Sequence, residues 1–330
     1  MRIVVSFLAV VALILLVFLG VEIANLRYLF GVIIPYAAVA AFIFGVMYRV
    51  VKWSRSPVPF RIPTTGGQQK SLPWINYSKL DNPSTNVEVI KRMALEVLVF
   101  RSLFRNTKSE LREGPRLAHG SEKILWLAGL AFHYSFLIIL LRHFRFFTVP
   151  VPLPVKLLES MDSFFQVGIP LLYNTDLLIV AAVTYLFLRR VVMPQIRYIS
   201  LPADYFPLFL ILGVAISGIL MRYFIRTDIV GVKELTMGLV SFSPKIPEGI
   251  GIVFYIHLFL VSTLIAYIPM SKIMHMGGVF LSPTRNLANN SRMKRHLNPW
   301  NYPVHVHTYE EYEDDFREKM KKAGIPVEKE

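Results

Sequence analysis

Six blocks of this 330-residue sequence, at about 3–24, 29–51, 122–144, 171–193, 203–222 and 249–274, are apolar over the length a helix needs to cross a bilayer. Roughly 20 such residues span the hydrocarbon core. Only helices and closed barrels satisfy their backbone groups there, and these runs are continuous, without the alternation of a barrel strand. Composition agrees: 54% of residues are hydrophobic and mean hydropathy is +0.48. The expected fold is an all-α membrane protein with six transmembrane helices. The first block follows Arg2 and could be a signal peptide. It is long for one, lacks a small-residue cleavage site and leads at once into a second block, so it is read as a span.

Lys and Arg set the topology. Residues 52–123 hold 13 of them and the tail from Lys272 holds 10, whereas residues 142–156 hold three and 222–245 hold four. The positive-inside rule places both termini, the 52–121 loop and the 194–202 turn in the cytoplasm, giving a multi-pass protein of the cell (cytoplasmic) membrane. The net charge of +14 is accounted for by this topology and by anionic membrane lipid, and no motif suggests nucleic acid. With no cysteine in the sequence, disulfides, thiolate-held iron–sulfur clusters and thiol chemistry are excluded.

Four regions follow: an N-terminal transmembrane hairpin (1–51), a cytoplasmic loop (52–121), a helical bundle (122–275) and a cytoplasmic tail (276–330). The loop opens with SRSPVPFRIPTTGGQQKSLPW, too rich in Pro, Gly and polar residues to pack. It continues with STNVEVIKRMALEVLVFRSLF, where Thr85 and Glu88 have capping-box spacing and Ile90, Met93, Val97, Phe100 and Phe104 fall near one helical stripe. This helix either lies on the bilayer or docks a soluble partner. In the docking reading, Val97 and Phe100 are buried by that partner and are dispensable to the bundle.

The segment AFHYSFLIILLRHFRFF (131–147) poses a chemical question, because a buried imidazole without a partner costs free energy. Of eight histidines, His119 precedes a helix start, and His296, His305 and His307 lie in the polar tail, where the HVH pair reads as solvated. His133 and His143 sit on the third span, and His257 and His275 on or just beyond the sixth. Ionisable residues inside membrane helices are rare and usually functional. His257 and His275 are 18 residues or five turns apart and share a face, while His133 and His143, ten apart, are about 80° off one. The two spans run antiparallel, so His143 pairs with His257 near the outer surface and His133 with His275 near the cytoplasmic one. Two facing histidines in a bundle interior suit haem iron with bis-imidazole ligation, whereas zinc would require further ligands at each level. The axial rises differ, about 15 Å against 27 Å. Helix tilt and a bend at Pro269 are expected to absorb the difference.

The segments AFHYSFLIILLRHF and FYIHLFLVSTLIAYIPMSKIMHM resemble the two haem-bearing helices of the respiratory nitrate reductase gamma-subunit family, down to Pro269, Ser271, Lys272 and His275 of the second. The resemblance covers roughly residues 120–280 and implies a haem-binding four-helix portion. It further implies two haem b groups on His133, His143, His257 and His275, and quinol chemistry at the outer one. The extra hairpin, the long loop and the continuation MHMGGVFLSPTRN depart from that family. They are similar to the DsrM family of membrane cytochromes of the sulfite-reductase-associated electron-transport complex, and to membrane subunits of heterodisulfide reductases. That likeness implies a cytoplasmic iron–sulfur subunit of heterodisulfide-reductase type, with multihaem cytochrome c and other membrane subunits as partners, in dissimilatory sulfate or sulfite metabolism. Arg142 stands where the nitrate reductase family has a small Gly, so the quinol pocket of that family does not transfer intact.

The functional expectation is an electron-transfer subunit of a respiratory oxidoreductase, exchanging electrons between menaquinol and its cytoplasmic partner. Arg142 and Arg145 are candidates for the outer haem's propionates or the quinol oxygen, or simply snorkel to the interface; Lys156 is a further quinol candidate. A proton-coupled transporter would require carboxylates mid-span, and none occurs there. A cofactor-free membrane anchor would leave four histidines without a purpose.

Overall fold

The first two apolar blocks fold as α1 (Arg2–Ile23) and α2 (Leu29–Ser54), separated by a turn in which Asn25 adopts a φ of 52°. The computed structural model describes residues 1–57, 67–114, 116–163, 172–293 and 305–329; His296 and part of the Pro/Gly-rich loop fall outside them. Between the second and third expected spans come α3 (Asn86–Val99) and a hairpin of β1 (Thr107–Arg112) and β2 (Arg116–Ser121). The longer elements that follow are α4 (Lys123–Phe146), α5 (Leu153–Asp162), α6 (Asn174–Val192), α7 (Pro202–Phe224), α8 (Ile229–Val240), α9 (Ile252–Met270) and, in the tail, α10 (Tyr309–Lys322).

Among the described residues, five helices (α1, α2, α4, α7 and α9) are long and apolar enough to cross a membrane. The fourth expected span is a helix, α6, but Asp176 in its first turn and Arg189 and Arg190 in its last set it apart from those five. In the bundle, α4 packs on α6, α6 on α7 and α7 on α9; α1 lies against α7 and α9, and α2 against α9. The two histidine-bearing helices, α4 and α9, share no extended backbone contact. Lipid tails are as apolar as Leu, so packing in this environment depends on close fit. The interior has two apolar clusters, one around Val183, Leu210 and Leu260, the other around Val17, Leu235 and Tyr255.

Three local results differ from or sharpen the sequence reading. The last span does not merely bend at Pro269: α9 ends at Met270, Ser271 is extended, a short turn covers Lys272–Met274, and a new helix runs His275–Leu281. The break has local causes. Proline cannot donate to the helix ladder, the Ser271 hydroxyl accepts the Ile273 N–H at 3.2 Å, and Arg49 Nε donates to the Pro269 carbonyl at 2.7 Å. The α2 backbone approaches here over Gly45, where an added Cβ would stand 2.7 Å from Pro269.

The α3 helix is capped as its sequence suggests, Thr85 Oγ1 accepting the Glu88 N–H, but the Glu88 carboxylate bonds Ser84 and Tyr77. The stripe on α3 is not a continuous free face. The helix stops where Phe100 takes a left-handed φ of 51°, and the Phe100 ring packs edge-on against His133 at 4.9 Å. Trp126 Nε1 and the Tyr134 hydroxyl donate to the Val99 and Leu98 carbonyls. Phe100 is therefore part of the wall beside the inner histidine, not a residue reserved for a partner.

The 67–121 part of the long loop and the start of the tail form one layer. Asn289 N–H donates to the Pro83 carbonyl at 2.6 Å, Asn290 Nδ2 to the Ser84 carbonyl, and Arg285 to Glu96 and Ser102. The hairpin was not expected from the sequence. Its turn uses Gly114 at a φ of 74°, and its ladder pairs Leu111 with Leu117. His119 lies in β2, its Nδ1 bonded to Ser109 Oγ at 3.0 Å.

Candidate cofactor site

The four membrane histidines come together in two pairs. The rings of His143 and His257 lie 6.3 Å apart and nearly parallel, at 11°; those of His133 and His275 lie 6.0 Å apart at 80°. Each ring is held by its Nδ1. That atom bonds the Gly129 carbonyl in His133 (2.8 Å), the Ile139 carbonyl in His143 (2.7 Å) and the Lys272 carbonyl in His275 (2.9 Å). A carbonyl only accepts, so Nδ1 carries the proton in all three and the Nε2 lone pair is left free. In His257 the partner is Ser217 Oγ at 2.9 Å. The Ser217 hydroxyl proton is directed at the Gly213 and Val214 carbonyls, so its oxygen accepts from His257 in the same sense.

This is the pattern of metal-ligating histidines, whose second nitrogen is fixed by a carbonyl or similar acceptor. The spacing fits as well. With metal–imidazole bonds of ~2 Å and ~1.1 Å from nitrogen to ring centre, two axial imidazoles on one metal stand roughly 6 Å apart, centroid to centroid. A haem iron held by each pair is compatible with both distances. The absence of extended backbone contact between α4 and α9 leaves width between them, and Gly218 lets α7 approach His257, where an added Cβ would stand 3.3 Å from Cε1.

Around the His143/His257 pair, Arg142 and Arg145 are already engaged. Arg142 is buried, with Nη2 on Asp176 at 2.7 Å, Nε on Asp162 at 3.1 Å and its guanidinium 3.7 Å above the Tyr173 ring. Asp162 also accepts from the Thr175 N–H and hydroxyl, and Asp176 from Tyr223. Arg142 thus ties the outer end of α4 to α5 and α6. Arg145 pairs with Glu159 at 3.0 Å, and Lys156 is exposed on α5. At the opposite end of the bundle, near His275, Lys272 reaches Asp204 at 2.6 Å. A cleft of about 480 Å³ there is lined by Arg49, Trp53, Tyr267, Lys272 and His275. In the tail, His305 and His307 cluster with Glu311, all three exposed.

Sequence reasoning missed the clamp formed by Asp162, Thr175 and Tyr173 and the orienting role of Ser217. The signals were faint: a serine–glycine pair in an apolar helix and two carboxylates at the outer ends of elements.

Comparison with known proteins places the whole histidine constellation inside one family. The family model described as nitrate reductase gamma subunit matches residues 93–295. The chain belongs to that family. This nitrate reductase gamma-family region contains α4 to α9 and His133, His143, His257 and His275, whereas α1, α2 and the first part of the long loop lie outside it. Over a longer stretch the chain is 49% identical to the Hdr-like menaquinol oxidoreductase cytochrome b-like subunit of Archaeoglobus fulgidus, with 82% of this chain and 83% of the relative covered. It is 43% identical to the protein of the same description from Archaeoglobus profundus, covering 81% of each.

Proposed function

We propose that this chain is a two-haem cytochrome b subunit of a menaquinol-oxidising membrane complex. The observation that carries the reading is the pair of facing histidine couples, each with its Nδ1 occupied and its Nε2 free. Haem bound there supplies a one-electron carrier on each side of the membrane. The chain's own residues hold it: His143 and His257 at the outer level, His133 and His275 at the inner, with Ser217 and the Gly129, Ile139 and Lys272 carbonyls fixing the ring orientations. Arg142, ion-paired with Asp162 and Asp176, positions α4. Arg145 and Lys156 remain candidates for a propionate or a quinol oxygen.

The finer reading has six spans, with α6 as the fourth, both termini in the cytoplasm, and regions 1–51, 52–121, 122–275 and 276–330. It places the chain in the DsrM type, delivering electrons to a cytoplasmic iron–sulfur subunit of heterodisulfide-reductase type, alongside multihaem cytochrome c and further membrane subunits, in sulfate or sulfite respiration. Support comes from the two relatives, both Hdr-like menaquinol oxidoreductase cytochrome b-like subunits, and from the hairpin and loop that precede the family region. A cofactor-free anchor leaves four fixed tautomers unexplained.

The test is a reduced-minus-oxidised spectrum of the purified chain with a pyridine-haemochrome count. The expected result is a b-type spectrum, two haems per chain and reduction by menaquinol. A purified chain that neither retains nor binds haem overturns the proposal.

A further inference from the structure

The tail segment HVHTYEEYEDD (305–315) holds two imidazoles on alternate residues and a carboxylate, Glu311, one helical turn beyond the second. Sequence spacing reads the histidines as solvated; the fold adds a third group to them. Thr308 is the N-cap of α10, its Oγ1 accepting the Glu311 N–H, and the Glu311 carboxylate accepts the Thr308 N–H at 2.9 Å. That reciprocal cap turns the Glu311 side chain back toward the residue next to His307. The His305 and His307 rings stand 4.9 Å apart. One ligand-type atom each from His305, His307 and Glu311 lies within 4.8 Å of the other two. A carboxylate has more acceptor sites than its single cap bond uses.

The charges around the cluster also favour a cation. Among the described residues, Glu310 pairs with Lys329, and Glu313 and Asp314 pair with Arg317. Glu311 and Asp315 have no Lys or Arg within ion-pair distance among those residues; the nearest basic group to Asp315 is His307, whose Nδ1 is 4.0 Å from Oδ2. The helix dipole opposes a cation at the start of α10 with roughly half a positive charge. Two carboxylates without a Lys or Arg outweigh it. Mixed imidazole and carboxylate ligands suit zinc, whereas calcium and magnesium take oxygen ligands. Zinc bonds of ~2.0–2.2 Å bring ligand atoms to roughly 3.3 Å from one another. Rotation of three exposed side chains can close that difference.

We propose that His305, His307 and Glu311 form a divalent transition-metal site of zinc type, with solvent in the fourth position, that clamps the segment before α10 to its first turn. The site lies beyond the family-matched residues 93–295 and is independent of the haem reading.

The experiment uses the full chain, purified in detergent without a polyhistidine tag and stripped with chelator, and Zn²⁺ alone as the probe, titrated by calorimetry. His305→Ala and His307→Ala are each expected to weaken one Zn²⁺ equivalent at least about 100-fold, beyond the usual cost of losing an outer partner of a metal ligand. Glu311→Gln should weaken it about ten-fold or more while keeping the cap, since Gln also serves at that position. His119→Ala, in β2, should leave the affinity unchanged. Zn²⁺ should also slow hydrogen exchange over residues 305–315 in the unsubstituted chain and not in the histidine variants. A chain that binds no Zn²⁺ overturns the site, and so does unchanged affinity in either histidine variant or in Glu311→Gln. Unfolding of α10 in the metal-free variants assigns the loss to the helix and overturns the ligand assignment.

Discussion

Ser217 shows how much of the candidate site depends on a residue that touches no electron carrier. Its hydroxyl proton is engaged with the Gly213 and Val214 carbonyls, leaving the oxygen to accept from His257. Removing that acceptor with Ser217→Ala frees the imidazole to rotate or change tautomer. Loss of such an outer partner commonly lowers ligand-site affinity 10–100-fold. The expected outcome is weaker retention of the outer haem with the inner haem intact, read by spectra during stepwise dilution or haem titration. Equal retention of both haems would show that helix packing alone orients His257. The histidines themselves were legible, because four imidazoles in two apolar runs have few other uses. Arg142 was only half legible: its position beside His143 was plain, but its partners Asp162 and Asp176 lie 20 and 34 residues further along the chain. No local pattern announces a pairing at that separation.

At the level of elements, the apolar blocks translated directly into helices because length and hydropathy decide that outcome in lipid. The layer formed by the long loop and the start of the tail was the least legible part. Its order comes from contacts between the loop and residues 285–291, and from polar bonds such as Asn289 to Pro83, which carry no periodic signature. Phe100 illustrates the consequence: its place on the stripe suggested a partner, while its ring in fact rests on His133. Phe100→Asp is therefore expected to set a carboxylate against that imidazole and cost the inner haem while the outer one remains, as a haemochrome count falling from two to one per chain. A variant keeping both haems would restore the view that this stripe is free for docking.

The same layer contains a titrating latch. Asp81 accepts from Arg101 at 2.8 Å and from Arg105 at 2.5 Å. The Arg101 hydrogen bond chiefly, with the Ser78 hydroxyl and the charges of both arginines, holds its carboxyl down at about 2 from an ordinary 3.8. A folded value below the unfolded one means that the contribution is fully present above roughly pH 4 and disappears as pH falls toward 2. Hydrogen exchange across residues 78–105 should accelerate in that window, and Asp81→Asn should show the faster exchange already at neutral pH. An acid profile identical in the variant would assign the loosening to other carboxylates.

Across the whole molecule, the antiparallel course of α4 and α9 links the residues to the function. One helix carries its histidines ten residues apart. The other reaches the same two levels only because the chain breaks after Pro269 and restarts at His275, so a single straight helix rising about 27 Å over 18 residues is not required. Sequence spacing could not show this, since the break depends on Ser271, Arg49 and the close approach of Gly45 acting together. The bundle thereby brings together one pair of imidazoles toward each side of the membrane.

The most direct test of that arrangement is a set of four single variants, His133→Ala, His143→Ala, His257→Ala and His275→Ala, each scored for haem content and for which b-type signal survives a redox titration. The geometry predicts two matching losses. His143→Ala and His257→Ala should remove one and the same haem, His133→Ala and His275→Ala the other, with one haem per chain left in every case. If His143→Ala and His133→Ala removed the same signal, or if any single variant lost both haems while remaining folded, two independent bis-histidine sites would be contradicted.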